Sequence, residues 1–347
     1  MSLCKEIAGA DSGFDFYTQG APDRFIFNIT GNPSFILTDR IPYILKKRLL
    51  IAGGSGFLGL HVFLQAGKIY GPDSLFMSFN KSTFSLPGAV WVHCDFSDSA
   101  NIKKLIDKNR PDTVIYCAAV SSPEECEVNP LLSSQVNTIT PSEAACYCAK
   151  KNMKFIYTSS DLVFDGLNAP YKEEDPVSPV NRYGKQKALS EQMILSANPD
   201  ALICRLPLMY GYSISAKSTF TTSVLDSLKK RRPVYLFYDE FRTPAPVSSV
   251  AKFLVEKTEP LRGILHLGGK ERISRYQFGL IVAKAFGFDS TLITAVSQSE
   301  IECKAPRPPD VSLESTRAFA EGYSPGTVSS EITLWKSMSV FKQKKRE

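Results

Sequence analysis

From Lys47 onward, short apolar runs rich in β-branched residues alternate with longer stretches whose apolar residues recur every third or fourth position. The short runs predict strands over 48–52, 75–79, 89–93, 113–117, 155–159, 201–205 and 264–267. The longer stretches predict helices over 56–66, 100–108, 131–150, 183–195 and 274–286. Strand and helix in alternation are the mark of βαβ units, so the expected fold is α/β: a Rossmann-like, doubly wound parallel sheet. After about Pro207 the rhythm loosens into a helix near 219–230, a strand near 233–237 and the proline-rich stretch 305–309, which predicts a smaller C-terminal lobe. In an open parallel sheet the ligand crevice lies beyond the carboxyl ends of the strands, here between the two lobes.

Composition narrows the classes of partner. A hydrophobic fraction of 43% over 347 residues is ample for a core and a second lobe. The net charge of +6 is mild, and Lys336, Lys342, Lys344, Lys345 and Arg346 crowd the end of the chain. A short cationic tail is not a basic surface, so nucleic acid is not an expected partner. None of the eight cysteines forms a C-x-x-C pair, and Cys146 and Cys148 point to different sides of a helix, so reduced, mostly buried thiols are expected. His61, His93 and His266 are not gathered with cysteines at metal-ligand spacing, and no metal is implied. Residues 1–46 read as an irregular extension: they lack a basic start followed by an unbroken apolar core, and 25–45 is interrupted by Asn28, Asn32, Pro33, Asp39, Arg40 and Pro42. No membrane partner is expected, and the expected compartment is the cytoplasm.

Candidate chemistry begins where the first strand ends. Gly53, Gly56 and Gly59, with Ser55, Phe57 and Leu58 between them, have the G-x-x-G-x-x-G spacing between a strand and a helix. Gly53 permits the tight turn, Gly56 lets backbone approach a pyrophosphate, and Gly59 allows close helix-to-strand packing, while the helix N-terminus offers N–H donors to the anion. The second strand ends at Phe79-Asn80-Lys81-Ser82, without the carboxylate that would bind the ribose of NAD; Asp73 precedes that strand and reads as a turn residue. Lys81 can pair with a 2′-phosphate or stand as an exposed loop charge, and the cofactor expected is NADPH, with NADH the alternative. Asn80, Asp95, Phe96, Pro207 and the small run Cys117-Ala118-Ala119 complete the expected cofactor groove. Asp95 can accept from an adenine amino group or cap a helix beginning near Ser97. The organisation is therefore an extension over 1–46, an NAD(P)-binding domain over 47–206 to which 245–270 returns, a mainly substrate-binding lobe over 207–335, and a basic tail over 336–347.

Tyr183-Gly184-Lys185-Gln186-Lys187 opens a predicted helix, and Y-x-x-x-K there puts a phenol and an ammonium on one face a turn apart. A free tyrosine titrates near pH ~10, and lowering that by about two to three units takes roughly 3 to 4 kcal/mol, which Lys187 and an oxidised nicotinamide are expected to supply. Tyr183 would then donate a proton to a carbonyl oxygen as hydride arrives. Ser160, at the carboxyl end of its strand, can orient that oxygen; the alternative for Ser159 and Ser160 is a local turn or cap.

Three strings carry a family likeness: Tyr157-Thr-Ser-Ser-Asp-Leu-Val-Phe-Asp-Gly166, Pro170-Tyr-Lys-Glu-Glu-Asp-Pro176, and Pro179 through Tyr183-Gly-Lys185. Together with Arg205-Leu-Pro-Leu-Met-Tyr-Gly211, Phe241-Arg-Thr-Pro244 and Arg307-Pro308, they resemble the dTDP-4-dehydrorhamnose reductase family of extended short-chain dehydrogenase/reductases, over 47–335. The resemblance implies reduction of a nucleotide-sugar 4-ketone, with Ser160, Tyr183 and Lys187 as catalytic residues and Lys187 also binding the nicotinamide ribose. Ser121, Asp161, Arg242 and Arg307 are the candidate substrate residues, the two arginines either on the nucleotide's phosphates or in structural pairs. Asn137 either extends a water-mediated proton path or serves as a buried amide. The chain departs from the family pattern where an aspartate-bearing helix start is replaced by Val247-Ser248-Ser249-Val250-Ala251, with Ser249 expected to cap the helix. The same motifs also resemble the regulatory beta subunit of methionine adenosyltransferase, a binding module, and a nucleotide-sugar epimerase is the third reading. A homodimer is left open.

Overall fold

The computed structural model describes residues 47–81, 86–213 and 219–340, together with three strands nearer the N-terminus. Those strands, β1 (Phe14–Thr18), β2 (Phe25–Ile29) and β3 (Phe35–Leu37), pair antiparallel with Phe14 opposite Ile29 and Phe25 opposite Leu37. The extension is therefore not wholly irregular as expected. Its aromatic and β-branched runs, separated by Gly-Ala-Pro and Gly-Asn-Pro stretches, are strand and turn compositions too short for periodicity to reveal.

The main sheet collects seven parallel strands in the order β14-β9-β8-β7-β4-β5-β6. These are β4 (Leu49–Ala52), β5 (Leu75–Phe79), β6 (Val90–His93), β7 (Thr113–Tyr116), β8 (Lys154–Ser160), β9 (Leu202–Leu206) and β14 (Gly263–His266). Strand order reverses at β4, which lies between β5 and β7, and this places the topological switch point directly above the glycine turn. Helices α1 (Phe57–Ala66) and α8 (Val247–Glu256) cover one face, where Leu60, Val62, Val250 and Phe253 meet Leu49 and Ile51. On the other face lie α2 (Ser99–Asn109), α5 (Thr140–Lys150) and α6 (Arg182–Ala197), with Ile102, Ile106, Ala145 and Ile194 against Leu50 and Ala52. Burial on both faces is why β4 reads as an unbroken apolar run.

A second core joins α7 (Phe220–Lys229), β11 (Val234–Phe237), α9 (Arg275–Phe286), β16 (Ile293–Val296) and α11 (Val328–Val340) around Leu225, Leu236, Phe278 and Ile332. Short pairs link the lobes: β10 (Met209–Tyr210) with β13 (Ala245–Pro246), and β12 (Phe241–Arg242) with β15 (Ile273–Ser274). Cys94, Cys126, Cys148 and Cys204 are buried free thiols, while Cys117, Cys146 and Cys303 are partly covered. Among the described residues no helix is long and apolar enough to cross a membrane. Of the basic tail, Lys336 lies on α11, and 341–347 fall outside the described residues.

Two local expectations are corrected. The helix predicted over 131–150 is broken into α4 (Pro130–Ser134), a π-helical turn Gln135–Ile139, and α5. Pro141 explains part of the break, because it has no N–H to return to the Asn137 carbonyl. Ser249 does not cap α8, whose N-cap is Pro246, so the serine falls inside the first turn.

Candidate active site

The glycine turn has the geometry its spacing implies. Gly53 adopts a φ of 82°, and a Cβ there would lie 2.6 Å from the Ala118 nitrogen, so the turn packs directly on the chain leaving β7. A Cβ on Gly59 would collide with the Gly53 carbonyl oxygen, whereas one on Gly56 would come no nearer than 3.2 Å to that oxygen. Ser78 of β5 accepts the Gly53 N–H at 2.8 Å and fixes the turn from below. Gly56 caps α1 without a side chain and the first turn holds no acid, which leaves Phe57, Leu58 and Gly59 at a positive helix end suited to a phosphate.

The remaining groove candidates divide. Asn80 donates to Asp95 at 3.1 Å, and Asp95 also accepts from the Ser97 N–H, the main cause that holds its carboxyl below the usual range. The helix beyond is capped by Asp98, so the cap reading of Asp95 is corrected: it braces the turn beneath Asn80. Phe96 is committed to the core, edge-on to Tyr116 at 5.5 Å. Lys81 is exposed immediately after β5. Asp73 lies in the short 3-10 turn Pro72–Ser74, as expected of a turn residue.

A cleft of about 230 Å³ opens beyond the carboxyl ends of β8 and β9. Ser121, Ser160, Asp161, Tyr183, Pro207, Arg242 and Arg307 line it, together with Glu240 and Arg275, which sequence reasoning passed over. Gly184 brings Tyr183 close to Ser160, because α6 starts against the 3-10 turn that follows β8, with the Leu162 carbonyl where a Cβ would be. Ser160 is the cap of its second reading, accepting the Leu162 N–H at 3.1 Å, and it also lines the cleft. It also donates to Asp161 at 3.0 Å.

Lys187 is not at the cleft surface. It is 1% exposed, and its ammonium donates to the Tyr157 hydroxyl at 3.0 Å and the Thr158 carbonyl at 2.8 Å. Its nitrogen is 5.8 Å from the centre of the Tyr183 ring. Burial lowers the ammonium's pKa to about 8, against the opposing pull of Glu191. The Tyr183 phenol is raised, chiefly by burial and then by Cys126 and Asp161, not lowered as the sequence led us to expect. Two of the lysine's three N–H donors go to Tyr157 and Thr158, neither of them the Tyr183 phenol, which is itself buried.

Behind the cleft, Glu240 is fully buried among Arg275 at 2.7 Å, Arg242 at 3.2 Å and Arg307 at 3.5 Å. Arg242 also faces Asp161 at 3.5 Å, and Arg307 pairs with Glu124 at 2.6 Å. Both arginines thus line the cleft while held in structural pairs. Asn137 is a buried amide: its side chain accepts the Val120 N–H at 2.9 Å and donates to Gln186 at 2.9 Å. A buried glutamate ahead of F-R-T-P gave no periodic signal, and Tyr157 reads as an ordinary core residue of an apolar strand.

A family model described as RmlD substrate binding domain matches residues 47–332. Methionine adenosyltransferase 2 subunit beta of Xenopus laevis is 28% identical over 307 residues, 84% of this chain and 88% of its own length. A probable low-salt glycan biosynthesis reductase of Haloferax volcanii is 32% identical over 218 residues, 62% of this chain and 73% of its own. The solved structure of a hypothetical dTDP-4-dehydrorhamnose reductase from Sulfolobus tokodaii superposes with a TM-score of 0.70 at 28% identity, over 79% of this chain and 94% of that one.

Proposed function

Because this chain belongs to the RmlD substrate binding domain family, we propose that it is an NADPH-dependent reductase of a nucleotide-sugar 4-ketone, similar to dTDP-4-dehydrorhamnose reductase. One observation carries the reading: Ser160 and Tyr183 share a cleft beyond the carboxyl ends of the strands of a sheet whose switch point bears the glycine turn. The residues fit a dinucleotide, since the turn leaves a side-chain-free approach to the N-terminus of α1. Gly53, Ser55, Gly56, Phe57, Leu58 and Gly59 would hold the pyrophosphate, with Asn80, Lys81 and Asp95 toward the adenosine end. Cys117, Ala118, Ala119 and Pro207 would flank the nicotinamide end. A bound NADPH supplies the hydride. Tyr183 passes its phenolic proton to the ketone oxygen, Ser160 orients that oxygen, and Lys187 presents its remaining N–H to the cofactor ribose. Arg242 and Arg307 contribute positive charge on the substrate side of the cleft.

The test is loss of reduced-nicotinamide absorbance when the chain is mixed with NADPH and a dTDP-linked 4-keto-6-deoxy sugar. Turnover supports the reading. NADPH binding without turnover on this or related keto-sugar nucleotides instead supports a regulatory subunit similar to methionine adenosyltransferase 2 subunit beta, a reading favoured by the match over 84% of this chain.

Cofactor choice gives a separate expectation. Lys81 is the exposed cation at the end of β5, where a 2′-phosphate would be read. Lys81→Ala is expected to raise the Michaelis constant for NADPH about tenfold, consistent with loss of one charge-assisted contact, and to leave that for NADH within about twofold. Equal effects on the two cofactors would remove Lys81 from the phosphate site.

A further inference from the structure

The Asn137 carbonyl, the Tyr157 hydroxyl and the Lys187 ammonium form a chain of hydrogen bonds. The Tyr157 hydroxyl donates to the Asn137 carbonyl at 3.0 Å and accepts from the Lys187 ammonium at 3.0 Å. The direction of this chain of bonds is set by the backbone. Asn137 lies in the π-helical turn, and Pro141, four residues on, has no N–H to give its carbonyl an α-helical partner. A carbonyl can only accept, so the Tyr157 proton is committed to it and the phenol oxygen is left as an acceptor toward the lysine. Tyr157 is fully buried, and burial raises its pKa well above the ordinary value, so the hydroxyl stays neutral and keeps this polarity.

From this geometry we propose that Tyr157 is a positioning residue for Lys187: it takes one ammonium N–H, the Thr158 carbonyl takes the second, and the third is left to point into the cofactor groove. The meaning of that third N–H for catalysis rests on the reductase reading; the hold on Lys187 does not. Without an acceptor at Tyr157, a buried ammonium would turn toward other partners or give up its proton. The charged and titratable groups around it are Glu191 on its own helix, Tyr183, Cys117 beyond β7 and Cys126 on α3 (Pro123–Val128). Glu191 is itself engaged by Arg205 at 2.8 Å and by Ser159 at 2.5 Å, which leaves Tyr157 and Thr158 as the close acceptors of the ammonium.

The experiment follows the Lys187 side chain directly in the protein without cofactor. The Cε resonance of carbon-13-labelled lysine is titrated from neutral to alkaline pH, with Lys187 assigned by its loss in Lys187→Met. In Tyr157→Phe, which keeps the ring and removes only the acceptor, the Lys187 midpoint is expected to fall by about one pH unit, the size of one hydrogen bond to a charged group. Pro141→Ala, which offers the Asn137 carbonyl a helical N–H in competition with the phenol, is expected to shift it the same way by less. It also serves if Tyr157→Phe does not fold. NADPH affinity, measured in parallel, is expected to fall about three- to tenfold in Tyr157→Phe. An unchanged Lys187 midpoint in the folded variants overturns the proposal. A wild-type chain whose lysine titrates as described but which fails to bind NADPH overturns the reductase reading and leaves the role of Tyr157 standing.

Discussion

Tyr183→Phe is expected to lower the turnover number for ketone reduction by about a thousandfold, within the hundred- to ten-thousandfold range of a positioned general acid. Burial raises the phenol's pKa, so the group is protonated throughout the neutral range and ready to donate; at this resting stage an acidified phenol would be the wrong species. Acidification has to accompany the approach of the substrate oxygen and the positive charge on the other side of the cleft. The ring itself lines the cleft, and phenylalanine keeps that wall, so NADPH affinity is expected to change by no more than about threefold. Single-turnover kinetics with saturating NADPH separate the two effects. A loss of less than tenfold would move the proton donor to Ser160 or to water.

The same assay carries a pH dependence whose sign follows from Lys187. Its ammonium is charged below about 8 and loses its proton as pH rises through that value. Wild-type activity is therefore expected to fall on the alkaline side from about pH 8, well before a free lysine would titrate.

Much of this arrangement was legible because it is local. The glycine turn announces itself in the spacing of three glycines, and the Gly53 φ of 82° with its close approach to Ala118 is what that spacing requires. The tyrosine and lysine were visible as a helical pair, and the strand alternation placed Ser160 at a carboxyl edge. What the chain conceals is long-range pairing. Nothing near Lys187 says that its partner is Tyr157, thirty residues earlier, because an aromatic in an apolar strand has the same pattern whether or not its hydroxyl is used. The π-helical turn escaped for a related reason. Leu131 to Lys150 keep a helical periodicity throughout, and only Pro141 hints that one carbonyl will need another donor.

Glu240 was hidden in the same way and governs the second large effect. It is the buried anion among three guanidinium groups drawn from β12, the start of α9 and the proline-rich stretch, so it ties the two lobes together at the cleft. Burial alone would raise its pKa, but Arg275, Arg242 and Arg307 overcome this and hold it at about 2. Glu240→Gln keeps the shape and removes the charge. Arg242, with a side chain only 4% exposed, then has Asp161 as its remaining close carboxylate, and burial pushes Asp161 toward protonation. Breaking a buried pair from one side costs about 3 to 5 kcal/mol, and the partial exposure of Arg275 and Arg307 argues for the lower end. A fall in thermal midpoint of about 5 to 10 °C is expected. The pH dependence identifies the cause. A carboxyl held below its ordinary value contributes stability that is present above the unfolded value of 4.5 and is lost as pH falls toward about 2. The gap between wild type and Glu240→Gln should therefore be widest near neutrality and shrink through that acidic window, whereas a loss of packing alone would leave it constant.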